Sequence, residues 1–243
     1  MNKLFPFVLF LALSAFLSAQ ENQPEPSQAS KNYSRFRHTP TEPTYGLAKV
    51  RAIVKKLKED EDMNRRMPAK EYENLSVAEK FTYAMIHGED FSQNCDMMPS
   101  FQDEHKKIFA YPPSIFDDEA TWSQRQRDFL HQNRAKVVGY LRSTINANHR
   151  VGVNLKQAIQ EINAVELIPD LVKIYKRDRK DHDILTLFMI LMKENKYAPF
   201  LASSSCKKLY AEDADYRSFL EANAANQKLI LDRAIAFYKS RQK

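Results

Sequence analysis

From residue 45 onward, apolar residues recur three and four positions apart, the period of an amphipathic helix. Leu47, Val50, Ile53, Val54 and Leu57 predict a helix over Tyr45–Asp60, closed by the acidic run Glu59-Asp60-Glu61-Asp62. Ser76 and Glu79 stand three apart ahead of Phe81, Ala84 and Met85, which predicts a capping box. Gly88 is expected to end that helix as a left-handed cap. Beyond residue 123 the pattern is purely helical. One long helix is expected through Phe129, Leu130, Val137, Val138, Leu141 and Ile145, then Leu155–Ile162 capped by Asn154, then Val165–Arg177. Asp183 opens Ile184–Lys193 as its N-cap, a short segment surrounds Tyr197–Ala202, and a last helix covers Ala225–Tyr238.

Three stretches break this period. At the front, Lys3 precedes an apolar run from Leu4 to Leu17, with the small residues Ser18 and Ala19 after it. That order predicts a secretory signal over residues 1–19, too short to span a membrane comfortably, and hence an exported protein, periplasmic or extracellular. Residues 20–44 hold four Pro among Gln, Glu, Ser and Thr, with Phe36 the only strong hydrophobe. Such a stretch buries too little apolar area to offset its ordering entropy, so it is expected to be a disordered linker. Within it, Tyr33, Arg35, Phe36, Arg37 and His38 form an aromatic and basic cluster that could serve as a short docking motif. Residues 89–121 carry Pro99, Pro112, Pro113 and five aromatics, and predict a long loop interrupted by a helix near Gln102–Phe109. The rest, 45–243, reads as a single α-helical domain.

Shifted by thirty residues, the chain matches itself. Val137 falls on Leu167, Leu141 on Leu171, Leu155 on Leu185, Ile159 on Met189 and Ile162 on Met192. Leu167-Ile168-Pro169-Asp170-Leu171, followed by Ile174 and Asp178, resembles the first helix of a HEAT-like repeat. His149 to Ile159 similarly resembles that family's second helix. The resemblance covers units at about 135–163 and 165–194 and implies stacked helical hairpins that serve as an interaction surface. The fold class expected is therefore all-α, either a short HEAT-like solenoid or an irregular helical bundle.

Composition narrows the function. Only 4 of 243 residues are Gly, about a quarter of the usual ~7%, and they are isolated, which nearly excludes Gly-rich nucleotide-binding folds. No cofactor or metal is expected. Charge divides unevenly: residues 45–128 hold 13 basic and 16 acidic side chains, residues 129–243 hold 20 and 12. Lys173, Lys176, Arg177, Arg179 and Lys180 concentrate the positive charge at a helix end, either as a favourable complement to its dipole or as a binding patch. Export argues against nucleic acid as the partner and favours a protein or an acidic component of the bacterial cell envelope.

No motif of nucleophilic, metal-dependent or phosphoryl chemistry is present. Asp181-His182-Asp183 could tune a base or hold a metal, or could simply cap a helix; His87, Glu89, Asp90 and His105 offer ligand types without a fixed spacing. The two cysteines, Cys95 and Cys206, are expected to pair if the protein is exported. The function expected is a non-enzymatic binding or scaffold protein of the cell envelope, the alternative being a hydrolase with its site under the 89–121 loop.

Overall fold

A computed structural model describes residues 25–93, 102–116, 119–215 and 217–242. The expected leader over residues 1–19 and Cys95 lie outside the described residues. The chain runs α1 (Gln28–His38), α2 (Leu47–Val54), α3 (Ala69–Glu73) and α4 (Val77–Ile86), then β1 (Asp90–Phe91), β2 (Lys107–Phe109) and β3 (Ala120–Thr121). It continues through α5 (Gln124–Gln132), α6 (Arg134–Asn148), α7 (Val153–Glu161), α8 (Ile168–Asp178) and α9 (His182–Glu194). It ends with α10 (Ala198–Leu201), α11 (Ser204–Tyr210), β4 (Phe219–Glu221) and α12 (Ala224–Ser240). The architecture is all-α, with two short antiparallel ribbons among the described residues, β1 with β3 and β2 with β4.

The core is built around α9. Every residue from His182 to Met192 is buried, as expected of a helix that is apolar on all sides. It packs against α7, α8, α12 and β2. The residues matched by the thirty-residue shift, from Val137 and Leu167 to Ile162 and Met192, all lie in this core. The hairpins α6–α7 and α8–α9 also turn alike. His149 and Arg179, thirty residues apart, both take the left-handed conformation after the first helix of each pair, and Asn163 and Lys196 do so after the second. Polar pairs tie one hairpin to the next: Arg134 to Glu166 at 2.6 Å, Arg142 to Asp170 at 3.0 Å, and the amides of Asn163 and Asn195 to each other.

Several elements differ from expectation. Residues 28–38 are a docked helix rather than part of a flexible linker, because polar contacts replace the apolar area they lack. The expected capping box at Ser76 and Glu79 forms, but α4 ends at Ile86 with His87 extended, and Gly88 has no left-handed geometry. Gly88 instead admits a close approach: a Cβ there would stand 2.7 Å from the Phe116 ring and 2.8 Å from the Thr121 carbonyl. Over Gln102–Phe109 a single 3-10 turn, Glu104–Lys106, leads straight into β2, whose partner β4 lies in the half expected to be wholly helical. The long helix through Phe129 and Ile145 breaks at Asn133 into α5 and α6.

Asn154 caps no helix; α7 starts one residue earlier, with Gly152 at its N-cap. Its buried amide accepts from the Thr41 N–H at 2.9 Å and donates to the carbonyls of Thr41 and Met85 at 2.9 and 3.0 Å. Cys206 is a buried free thiol on α11, and its expected partner Cys95 lies outside the described residues.

Candidate functional site

Asp183 is not the N-cap of α9. Asp181 occupies the N-cap of α9 but makes no capping bond, and Asp183 points into a buried ionic cluster. Arg37, brought in by α1, donates from Nε to both Asp183 oxygens at 3.0 Å and from Nη2 to Oδ1 at 2.8 Å. Its Nη1 reaches Glu104 Oε1 at 2.5 Å, and the guanidinium lies 4.3 Å over the Phe109 ring. Lys156 of α7 donates to Asp181 at 2.7 Å and stands 3.7 Å from Asp183.

Around this cluster the Tyr33 hydroxyl accepts from the His182 N–H at 3.0 Å, and His182 Nδ1 donates to the Lys107 carbonyl at 3.2 Å. Burial holds the His182 imidazole below its ordinary value, which favours the neutral ring. Burial would raise both aspartates. At Asp183 the charges of Arg37 and Lys156 reverse that and hold its carboxyl below the ordinary value. At Asp181 burial prevails over Lys156, with Asp183 adding to it, and its carboxyl is pushed up.

Glu89 anchors a second network beneath the 89–121 segment. It accepts from Tyr83 Oη at 2.7 Å, Ser123 Oγ at 2.5 Å and Arg125 Nε at 2.7 Å, with a further bond from Arg125 Nη2. Burial alone would raise its carboxyl, but these hydrogen bonds and the Arg125 charge hold it below the ordinary value. Gln126 accepts from the Glu89 N–H and donates to the His87 carbonyl, while His87 Nε2 donates to the Arg65 carbonyl at 2.6 Å. The His87 imidazole is thus committed to the Arg65 carbonyl and the Glu89 carboxylate to Tyr83, Ser123 and Arg125, while His105 lies in the 3-10 turn.

Above Glu89 lies a cleft of about 260 Å³, walled by Glu59, Met63, Arg65, Asp90, Phe91 and Glu119. Asp90 is held there by Arg66 at 2.7 Å. A second cleft of about 300 Å³ lies between the C-terminal ends of α7 and α9, lined by Gln157, Gln160, Glu161, Asn163 and Glu194. Glu161 is bound by Arg127 at 3.0 Å and by His131 at 2.9 Å.

The basic run falls as its pattern requires. Lys173, Lys176 and Arg177 share the solvent face of α8, opposite the buried Leu171, Ile174 and Tyr175, and Arg179 and Lys180 continue it into the turn. All five are exposed. Arg177 donates to the His149 carbonyl at 2.7 Å, and its contact with Asp178 spans 3.9 Å between exposed side chains, too weak to neutralise the stripe. Among the described residues no helix is long and apolar enough to cross a membrane.

No known protein family, curated protein or solved structure matches the chain.

Proposed function

We propose that this is an exported binding or scaffold protein of the bacterial cell envelope, non-enzymatic, which presents the α8 stripe to an acidic partner, either a protein or an envelope polymer. The observation that carries the reading is the stripe itself: five exposed cations on one surface, mounted on a helix whose other face is locked into the core. A rigid mount keeps the ordering entropy of binding low, and clustered charge of one sign steers an oppositely charged partner toward it. The matched hairpins α6–α7 and α8–α9 support a HEAT-like stack, whose usual role is to offer such faces. Export rests on Lys3, the apolar run Leu4–Leu17, and Ser18-Ala19.

The groups best suited to hydrolysis are tied up elsewhere: Asp181, Asp183 and Glu89 each hold structural cations. The test is retention on an immobilised acidic polymer such as polyglutamate. The native chain should bind, elute with rising salt, and lose retention when Lys173, Lys176 and Lys180 become Glu with an unchanged melting curve. Equal retention of that variant overturns the reading. An intact N-terminus by mass spectrometry of protein from its own host overturns export.

A further inference from the structure

A groove on the other half of the chain has the chemistry of a small-ligand site. The apolar face of α2 is Val50, Ile53, Val54 and, one turn past the helix, Leu57; it packs on Met67, Leu75 and Tyr83 to make a small core separate from the main one. Lys56 N–H and Leu57 N–H bond back to the carbonyls of Ile53 and Val54, so the chain curls over rather than leaving the surface. It returns at Arg66–Pro68. Between the two passes lies a groove of about 420 Å³. That volume falls within the range of roughly 300–1,000 Å³ typical of small-molecule sites, whereas the acidic cleft above Glu89 falls short of it.

Its floor is apolar, made by Ile53, Leu57 and Pro68. Its rim is cationic: Lys56, Lys58 and Arg66, faced by the single carboxylate of Glu71. This positive rim stands in the half of the chain where acidic residues outnumber basic ones. Neither Lys56 nor Lys58 has an ion-pair partner among the described residues. Arg66 is held in place by Asp90 through Nε at 2.8 Å and Nη2 at 2.7 Å, and its guanidinium carries five donors in all.

We infer that this groove binds a single-chain anionic amphiphile, its acyl tail lying along Ile53, Leu57 and Pro68 and its carboxylate or phosphate head held between Lys56, Lys58 and Arg66. An apolar floor alone would take any hydrophobe. Lys56 and Lys58, with the guanidinium donors of Arg66 that Asp90 leaves free, select a negative head, and the two lysines oppose an amine-headed chain by like charge. The tail supplies affinity through burial and the head supplies selectivity.

Calorimetric titration of the full chain with dodecanoate, below the concentration at which it self-associates, tests this. Saturable one-to-one binding is expected, with dodecyl phosphate at least as tight. Dodecanol and dodecylammonium should bind at least tenfold more weakly. Each methylene removed from the carboxylate should weaken binding about fourfold until the groove is no longer filled. The exposed pair Lys56→Glu and Lys58→Glu should weaken dodecanoate at least tenfold without moving the melting curve, and Lys228→Glu on α12 should change nothing. The inference is overturned by absence of saturable binding, by equal affinity for dodecanol, or by an unaffected double variant. It is also overturned if the protein associates only with phosphatidylglycerol vesicles and takes no dodecanoate, which would make the rim a membrane-surface patch.

Discussion

Replacing Arg37 by Met keeps the length of the stem and removes the guanidinium from the buried cluster. Arg37, Glu104 and Asp183 are exposed by only 5%, 4% and 1% of their side chains. The substitution deletes three hydrogen bonds to Asp183 and one to Glu104, together with the stacking on Phe109. Three carboxylates then face one ammonium, Lys156, which is 2.7 Å from Asp181 but 3.7 Å from Asp183. Removing one partner of a buried ion pair destabilises by about 3–5 kcal/mol, because the remaining charge is left unsolvated. In a domain of this size that lowers Tm by roughly 6–20 °C. Thermal unfolding by circular dichroism measures it, with Arg35→Ala on the exposed face of α1 as the control. Limited proteolysis should show new cleavage within residues 25–46, where α1 is tethered. Combining Arg37→Met with Glu104→Gln and Asp183→Asn should recover much of the loss, since the orphaned charges go with it. If Arg37→Met melts within about 2 °C of the native protein, the cluster does not hold α1 and the reasoning fails.

Leu171→Asp should unfold the protein, because a fully buried site would hold an unpaired carboxylate at a cost of several kcal/mol against a total of roughly 5–15; Lys176→Ala, on the exposed face, should melt normally, and overlapping curves would mean α8 is rotated. Gly152→Ala places a Cβ 2.1 Å from the Thr41 nitrogen and 2.6 Å from the Pro40 carbonyl carbon, both backbone atoms. It should destabilise by at least about 1–3 kcal/mol and speed amide exchange at Thr41, and a neutral effect would refute that close approach. Glu89 is held below its ordinary value of 4.5 in the fold, so its stabilisation is complete above that pH and is lost as pH falls through the folded value. Glu89→Gln should therefore be less stable at neutral pH and should lose less on acidification; denaturant curves that fall in parallel would contradict this.

What was legible in the sequence is what is encoded locally. The Ser76 and Glu79 caps satisfy backbone donors within one turn, so three residues of spacing suffice to announce them. The apolar stripe of α8 and its basic opposite face follow from one helical period. Asn133 was hidden because α5 and α6 keep nearly the same apolar phase across the break. Helix α1 was hidden for a different reason. Its anchors are Arg37 on Asp183, Ser30 Oγ accepting from the Glu104 N–H, and Arg150 donating to the Phe36 and Thr39 carbonyls. Polar complementarity between distant residues leaves no periodic trace, so a segment poor in hydrophobes looks unstructured until its partners are known. The only advance sign was the aromatic and basic cluster from Tyr33 to His38, whose docking site turns out to be the rest of the same chain. The ribbon of β2 with β4 was equally invisible, since it joins Lys107–Phe109 to Phe219–Glu221 across most of the sequence between them. Likewise Asp183 reads as a cap only while Arg37 is out of view.

The distance along the chain from Arg37 to its carboxylates has a consequence in time. Glu104 and Asp183 follow it by 67 and 146 residues. A ribosome adding about 5–20 residues per second makes Asp183 roughly 7–30 s after Arg37, whereas a short helix forms and melts in about a microsecond or less. With 11 residues, α1 is too short to persist alone in water. Among the described helices it is therefore the first to be synthesised and among the last able to settle. For most of the synthesis residues 28–38 are without the two carboxylates that hold Arg37.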